Sequence, residues 1–468
     1  MKHWQLALRN LRRNQRRSLT TILTIVVGLC AILLFGGYRS NIMYGSLTGF
    51  VQNTAHMQIQ VHGYFKDGAD NPLDYGINDY QAIIDRIRQD KVLNDKIAVI
   101  SAQLQLGGIA GNFAQGISRS VLAFGVEPEG YNQMMAWNEF GVTSYAQRLP
   151  LNSGNSDAVV VGTGVARRLR LCDLLSTNDC IQPDIAKPSV PASDTGLAAD
   201  IEALSNAQAS TETAKAGQSG HAIELLAASQ RGAPNVASLQ VIAAQNKGIK
   251  AIDDMYLAMH LQQAQALIYG KQSPKVTAIL IQLHKTADLP EVQQQIRALL
   301  QREFSQQKLA VLDFASLNPI YGQTNQFMDT MFGFIALLIA VIVLFTVANT
   351  MSAAIMERTS EIGTLRALGL RRQGIRKLFL CEASLLGLSG CLAGLLMALA
   401  CASLINHSGW SWTPPGYSYA YLVQVRVTDD LPMLVQSCTW IVLITMLSAW
   451  WPAQRAARMQ IVDALRHH

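Results

Sequence analysis

Charge is scarce in this chain. Only 15% of its 468 residues are Asp, Glu, Lys or Arg, against about 25% in an average soluble domain, while half are hydrophobic. A deficit of that size excludes a fully solvated surface and points to segments facing lipid. The net charge of +6 is small for the length, and the bases stand in short clusters beside apolar runs, so no nucleic-acid partner is expected. The seven cysteines include no CxxC and no Cys/His set with zinc spacing, so no metal site is expected. No G-x-x-x-x-G-K-[ST] phosphate loop occurs, since Gly270-Lys271 lacks the leading glycine and is followed by Gln272. The chain is not its own ATPase by that route. Gly162-Thr163-Gly164 begins like a dinucleotide fingerprint, but Arg167 fills the third glycine position. No Ser/His/Asp set has local context, so no catalytic residue is assigned, and His56 and His62 are expected at the surface.

Four runs have the roughly 20 residues needed to cross about 30 Å of hydrocarbon. Their expected bounds are 19–38, 329–352, 378–405 and 434–452. The first exceeds a signal peptide's apolar region and no small-x-small site follows it, so it reads as a retained anchor. Bases crowd three places: Lys2 to Arg17 before the first run, Arg358 to Lys377 between the second and third, and Arg455 to Arg466 after the fourth. The segment between runs three and four, 406–433, holds one base, Arg426. The positive-inside rule therefore puts both termini and 353–377 in the cytoplasm, and 39–328 outside a bacterial inner membrane. The stretch 1–18 reads as a cytoplasmic amphipathic helix, with Trp4, Leu8 and Leu11 on one face; 453–468 is the cytoplasmic tail.

The region 39–328 can bury a sizeable core. Met57, Ile59 and Val61 alternate with polar residues, which is strand periodicity. Ala158–Val161 and Val276–Leu283 read as further strands. Asp288 is placed to cap a helix, with Glu291 in the capping-box position. These features make the fold class an α-helical membrane protein with four transmembrane helices and a large α+β outer domain. Within it, about 181–236 is poor in residues that build cores and reads as a low-complexity insertion, either a loop expansion or a partner-binding arm, with AIELLAAS able to form a short helix. At its front, Cys172 and Cys180 either close a short disulfide, worth roughly 2–3 kcal/mol, or remain two thiols.

The most informative stretch is 353–377, AAIMERTSEIGTLRALGLRRQGIRK. It reads as a helix held at the cytoplasmic surface between two spans, broken at Gly369. ERTSEIGTLRALG is very similar to the signature of FtsX-like permeases, a family that includes MacB-like and LolC/LolE-type members. LALRNLRRNQRRSLTTILTI resembles that family's amino-terminal helix and first span, VVGTGVARRLRL its outer-domain motif, and PAQRAARMQIVDALR its ending. The insertion departs from the pattern, as does Cys172-Asp173 where glycine-Asp is usual.

The resemblance implies the permease subunit of a type VII ABC transporter, with a MacB-like periplasmic core and an FtsX-like permease domain over about 329–460. The implied partners are an ABC ATPase dimer, which would bind the ATP and Mg2+, and a second copy or paralogous permease. A periplasmic lipoprotein chaperone or a membrane-fusion adaptor would complete the machine. Carried over position by position, Glu357, Arg358, Glu361, Gly363, Arg366 and Gly369 are the ATPase-coupling candidates. Because MacB joins its ATPase to the same chain, the resemblance leans toward lipoprotein release over MacB-like efflux or FtsX-like mechanotransmission. Gly387, Gly390 and Gly394 are expected to pack the third span against a neighbour, the last two at GxxxG spacing.

Overall fold

A computed structural model describes residues 3–459 other than 14, 69–71, 153, 173–220, 230–231 and 419. Two helices open the chain, α1 (His3–Arg13) and α2 (Gln15–Thr54). The following α+β stretch runs β1 (Met57–Val61), α3 (Tyr80–Gln89), β2 (Ile97–Asn112), β3 (Ile117–Val126), α4 (Pro128–Ala136), β4 (Ala158–Gly162) and α5 (Thr163–Arg168). It continues through β5 (Ala222–Ala228), β6 (Pro234–Gln245), α6 (Lys250–Asp253), β7 (Tyr256–His260), α7 (Leu261–Tyr269), β8 (Ala278–Leu283), α8 (Leu289–Glu303) and β9 (Leu309–Asp313). Four more helices matter below: α9 (Pro319–Glu357), α10 (Thr359–Ala367), α11 (Arg372–Ser408) and α12 (Leu431–Arg458).

The chain divides into two compact units. One comprises Met1–Ser46, Ile320–Trp412 and Tyr421–His468; the other is Leu47–Pro319 with Thr413–Ala420. In the first, α2, α9, α11 and α12 are each long and apolar enough to cross a membrane. This is a membrane protein with a large α+β domain. At 40 and 39 residues, α2 and α9 are each about 60 Å long, twice the hydrocarbon thickness. Ile25, Leu29 and Leu33 of α2, Val343 and Val347 of α9, and Ala398 of α11 share one apolar core in this unit.

In the second unit the nine strands follow the order β3-β7-β4-β6-β5-β2-β8-β1-β9, and β3 also pairs with β2. Six strands therefore close into a ring, and β8, β1 and β9 extend from it. Closure hides edges that would otherwise template aggregation. Alternation fixes the two faces: Val159 and Val161 join the main core, while Ala158 and Val160 join a smaller cluster with Tyr131 of α4. The β-α-β character takes the split form, because β1 lies between β8 and β9 and is antiparallel to both.

Three local expectations are corrected. Ala222–Ala228 is a strand rather than a helix, with exposed and buried residues alternating along it. Ala, Leu and Glu favour helix in isolation, but pairing with β2 and β6 overrides that weak preference. The region expected to be low-complexity thus already belongs to the sheet from 222 onward. Asp288 makes no capping bond through its side chain; instead Lys96 Nζ lies 2.6 Å from Glu291 and 3.6 Å from Asp288. His56 is fully buried rather than superficial. Its ring meets Trp137 edge-on at 4.8 Å, and its Nδ1 accepts the Leu283 N–H at 3.1 Å. Burial pulls its pKa down to about 4.

Candidate functional site

The stretch 353–377, expected to be helical with a break at Gly369, is three pieces. α9 stops at Glu357, Arg358 leaves helical geometry at φ −103° and ψ 18°, and α10 begins at Thr359. Thr359 Oγ1 donates back to the Met356 carbonyl at 2.8 Å, satisfying an acceptor that the break exposes. α10 ends in a Schellman motif: Leu370 N–H bonds Leu365 O at 3.1 Å and Gly369 N–H bonds Arg366 O at 3.0 Å. Gly369 has φ +94°, a left-handed conformation that glycine adopts without a Cβ penalty. Leu365 and Leu370 then pack on the apolar cluster of Ile355, Ile362, Ile375, Phe379 and Ala453. A nine-residue helix is too short to be stable alone in water. Its rigidity comes from these anchors.

Charged residues anchor it as well. The Arg358 guanidinium lies 3.2 Å from Glu382 of α11 and donates to the Asn10 carbonyl of α1 at 3.2 Å, while Asn10 Nδ2 donates to Glu382 at 2.6 Å. The Arg358 and Glu382 side chains are 8% and 4% exposed, so the pair is held away from water. At the surface, Arg17 binds Glu357, with Nη1 at 2.8 Å from Oε2, and Arg13 pairs with Glu361. Arg366 donates to the Met459 carbonyl.

The six coupling candidates thus fall into distinct situations. Arg358 and Gly363 are buried. Glu357 and Glu361 are tied to the amino-terminal arginines, Arg366 is tied to the end of α12, and Gly369 is exposed at the turn. The free face of the segment is Met356, Ser360, Thr364 and Leu368, four residues apart and all exposed. Leu368 is 80% exposed. None of the four is among the six coupling candidates taken from the signature, although three of them lie within it; helical spacing from the signature glutamates was the available signal.

The three glycines of α11 face two neighbours. A Cβ on Gly387 would stand 3.3 Å from Thr445 of α12, whereas one on Gly390 would lie 2.6 Å from Ile25 and one on Gly394 3.1 Å from Leu29, both of α2. The GxxxG pair therefore seats α2. In the α+β unit, the Gly162-Thr163-Gly164 turn is filled from within. The buried Asp253 carboxylate accepts the Thr163 and Gly164 N–H groups at 3.0 and 2.8 Å. A Cβ on Gly162 would lie 2.1 Å from the Asp253 carbonyl. The start of α5 is thus occupied by an internal anion, which agrees with discarding the dinucleotide reading. Cys172 is buried and disulfide-bonded, and Cys180 lies outside the described residues. No cluster of metal-ligating side chains occurs among the described residues.

Residues 333–461, which contain α10 and both its flanking breaks, match the FtsX-like permease C-terminal family. The chain carries an FtsX-like permease domain. Relatives of this chain include the pyoverdine export ATP-binding/permease protein PvdT of Pseudomonas syringae, 28% identical over 47% of this chain and 32% of PvdT. The macrolide export ATP-binding/permease protein MacB of Bradyrhizobium diazoefficiens is 28% identical over 48% of this chain and 32% of MacB. The ABC transporter permease YtrF of Bacillus subtilis is 30% identical over 29% of this chain and 30% of YtrF. The chain spans about a third of the length of these curated relatives.

Proposed function

We propose that this chain is the membrane subunit of an ABC-type transporter in a bacterial inner membrane, driven by a separate dimer of ATPases that holds the ATP and Mg2+. Both termini and α10 face the cytoplasm, and the α+β unit works in the periplasm. The subunit pairs with a second copy or a paralogous permease and moves a hydrophobic or lipidated cargo, such as a lipoprotein, taken up outside the cytoplasm. A lipoprotein chaperone or a membrane-fusion adaptor receives it.

The observation that carries this reading is α10 itself. It is a short helix braced from three sides, between two long apolar helices, with one stripe left free. A force applied to Met356, Ser360, Thr364 and Leu368 reaches α11 through the Arg358–Glu382 pair, α1 through Arg13 and α2 through Arg17. The names of PvdT and MacB favour a second reading, in which the cargo is a small exported molecule.

Affinity purification of the chain from its native membrane tests the proposal. An ABC ATPase should co-purify and hydrolyse ATP faster when cargo is supplied. Leu368→Asp should release the ATPase while the chain stays membrane-inserted and folded. Wild-type protein that brings down no ATPase would overturn the proposal.

A further inference from the structure

Between α9 and α12 lies an open groove of about 670 Å3, lined by Leu344, Phe345, Asn349, Ser352, Leu447 and Trp451 among others. That volume falls in the range of about 300–1,000 Å3 typical of small-molecule sites. From Leu344 to Ser352 it follows α9 for about 12 Å, close to the depth of one leaflet of hydrocarbon some 30 Å thick. Its walls are mainly apolar and hold no charged side chain, but Trp451, which lines it, carries Arg455 against its ring. The Arg455 guanidinium is 3.8 Å from the Trp451 ring, and no described carboxylate pairs with it. Several arginines of this end are used differently: Arg13, Arg17 and Arg358 end in carboxylates, and Arg366 in a carbonyl. A guanidinium stacked on an indole keeps its edge N–H groups available, and that fork suits a phosphate.

We infer that this groove is a binding site for one anionic phospholipid. An acyl chain lies along α9 and α12 against Phe345 and Leu447, and the phosphodiester is held by Arg455 over Trp451. Charge complementarity chooses this occupant: a second copy of the chain brings no phosphate to Arg455, and in a zwitterionic lipid the headgroup's own cation competes with Arg455 for the phosphodiester. On the topology proposed above, the lipid belongs to the cytoplasmic leaflet. Arg376, which lies 5.0 Å from Trp450, is a comparison cation, since Trp450 does not line the groove.

Native mass spectrometry of the detergent-purified full chain tests the site. The probe is an equimolar mixture of phosphatidylglycerol and phosphatidylcholine, so the reading is independent of any ATPase. The first lipid bound should be phosphatidylglycerol. Arg455→Gln should lower that preference about fivefold, Ser352→Trp should abolish the first binding step by filling the groove, and Arg376→Gln should leave it unchanged. Should Ser352→Trp fail to fold, the Arg455→Gln and Arg376→Gln pair decides. Equal binding of both lipids, an equal loss in the two arginine variants, or a second copy of the chain displaced by Ser352→Trp would each overturn the inference.

Discussion

The guanidinium of Arg358 lies 3.2 Å from the carboxylate of Glu382, and both side chains are more than nine-tenths buried. The two residues sit on different elements, one at the break between α9 and α10 and the other inside α11. A charge left alone in such a place is costly, whereas replacing both partners with apolar groups is often neutral. Arg358→Leu should therefore destabilise the protein by about 3–5 kcal/mol, read as a lower thermal midpoint in detergent. Arg358→Leu combined with Glu382→Leu should recover most of that loss. If the double variant were as unstable as the single one, the pair would not be the reason for the loss.

Arg17–Glu357 and Arg13–Glu361 behave differently, because at least one partner in each pair is about half exposed. Pairs of this kind contribute about 0.2–1 kcal/mol. Glu357→Arg should move the thermal midpoint little but slow cargo-stimulated ATP hydrolysis, and adding Arg17→Glu should restore the rate. Unchanged hydrolysis in the single variant would show that this tie carries no force.

Steric room separates the glycines of α11. A Cβ at Gly390 would stand 2.6 Å from Ile25, but one at Gly387 would be 3.3 Å from Thr445. Overpacking costs typically about 1–3 kcal/mol. Thermal unfolding of the two alanine variants should therefore show the larger loss for Gly390→Ala. The opposite order would contradict the seating of α2 on this glycine pair.

In the α+β unit, His56 gives a pH dependence with a defined sign. Its pKa is about 4 when folded and near 6.5 when unfolded. The unfolded chain therefore takes up the proton first, and the stabilising contribution is complete above pH 6.5. It fades as the pH falls toward 4, by at most about 3 kcal/mol. Nδ1 accepts from the Leu283 N–H, so Nε2 carries the proton and donates to Thr286 Oγ1 at 3.2 Å. His56→Gln should flatten the stability profile between pH 6.5 and 4, measured by tryptophan fluorescence. An unchanged slope would assign the acid sensitivity elsewhere.

What sequence could reveal here follows from distance along the chain. The four apolar helices were legible because about 20 apolar residues in a row admit few readings. The FtsX-like signature was legible because its glutamates, glycines and arginines stand close together, within 357–369. The triad of Asn10, Arg358 and Glu382 was not, because its members lie 348 and 372 residues from Asn10 and 24 from each other. Nothing in the local pattern of any one announces the others. The burial of His56 was hidden for the same reason, since Trp137 on one side and Leu283 and Thr286 on the other come from two distant segments. Ala222–Ala228 was misread because its composition favours a helix and only its partners, β2 and β6, make it a strand.

Placement across the bilayer tests the central claim most directly. Ser238 of β6 and Thr364 of α10 are both exposed and can each be replaced by cysteine for labelling with a membrane-impermeant maleimide. Intact spheroplasts should label Ser238→Cys at once and Thr364→Cys only after permeabilisation. Labelling of both from the same side would contradict a helix that takes a cytosolic stroke and delivers it to a periplasmic domain.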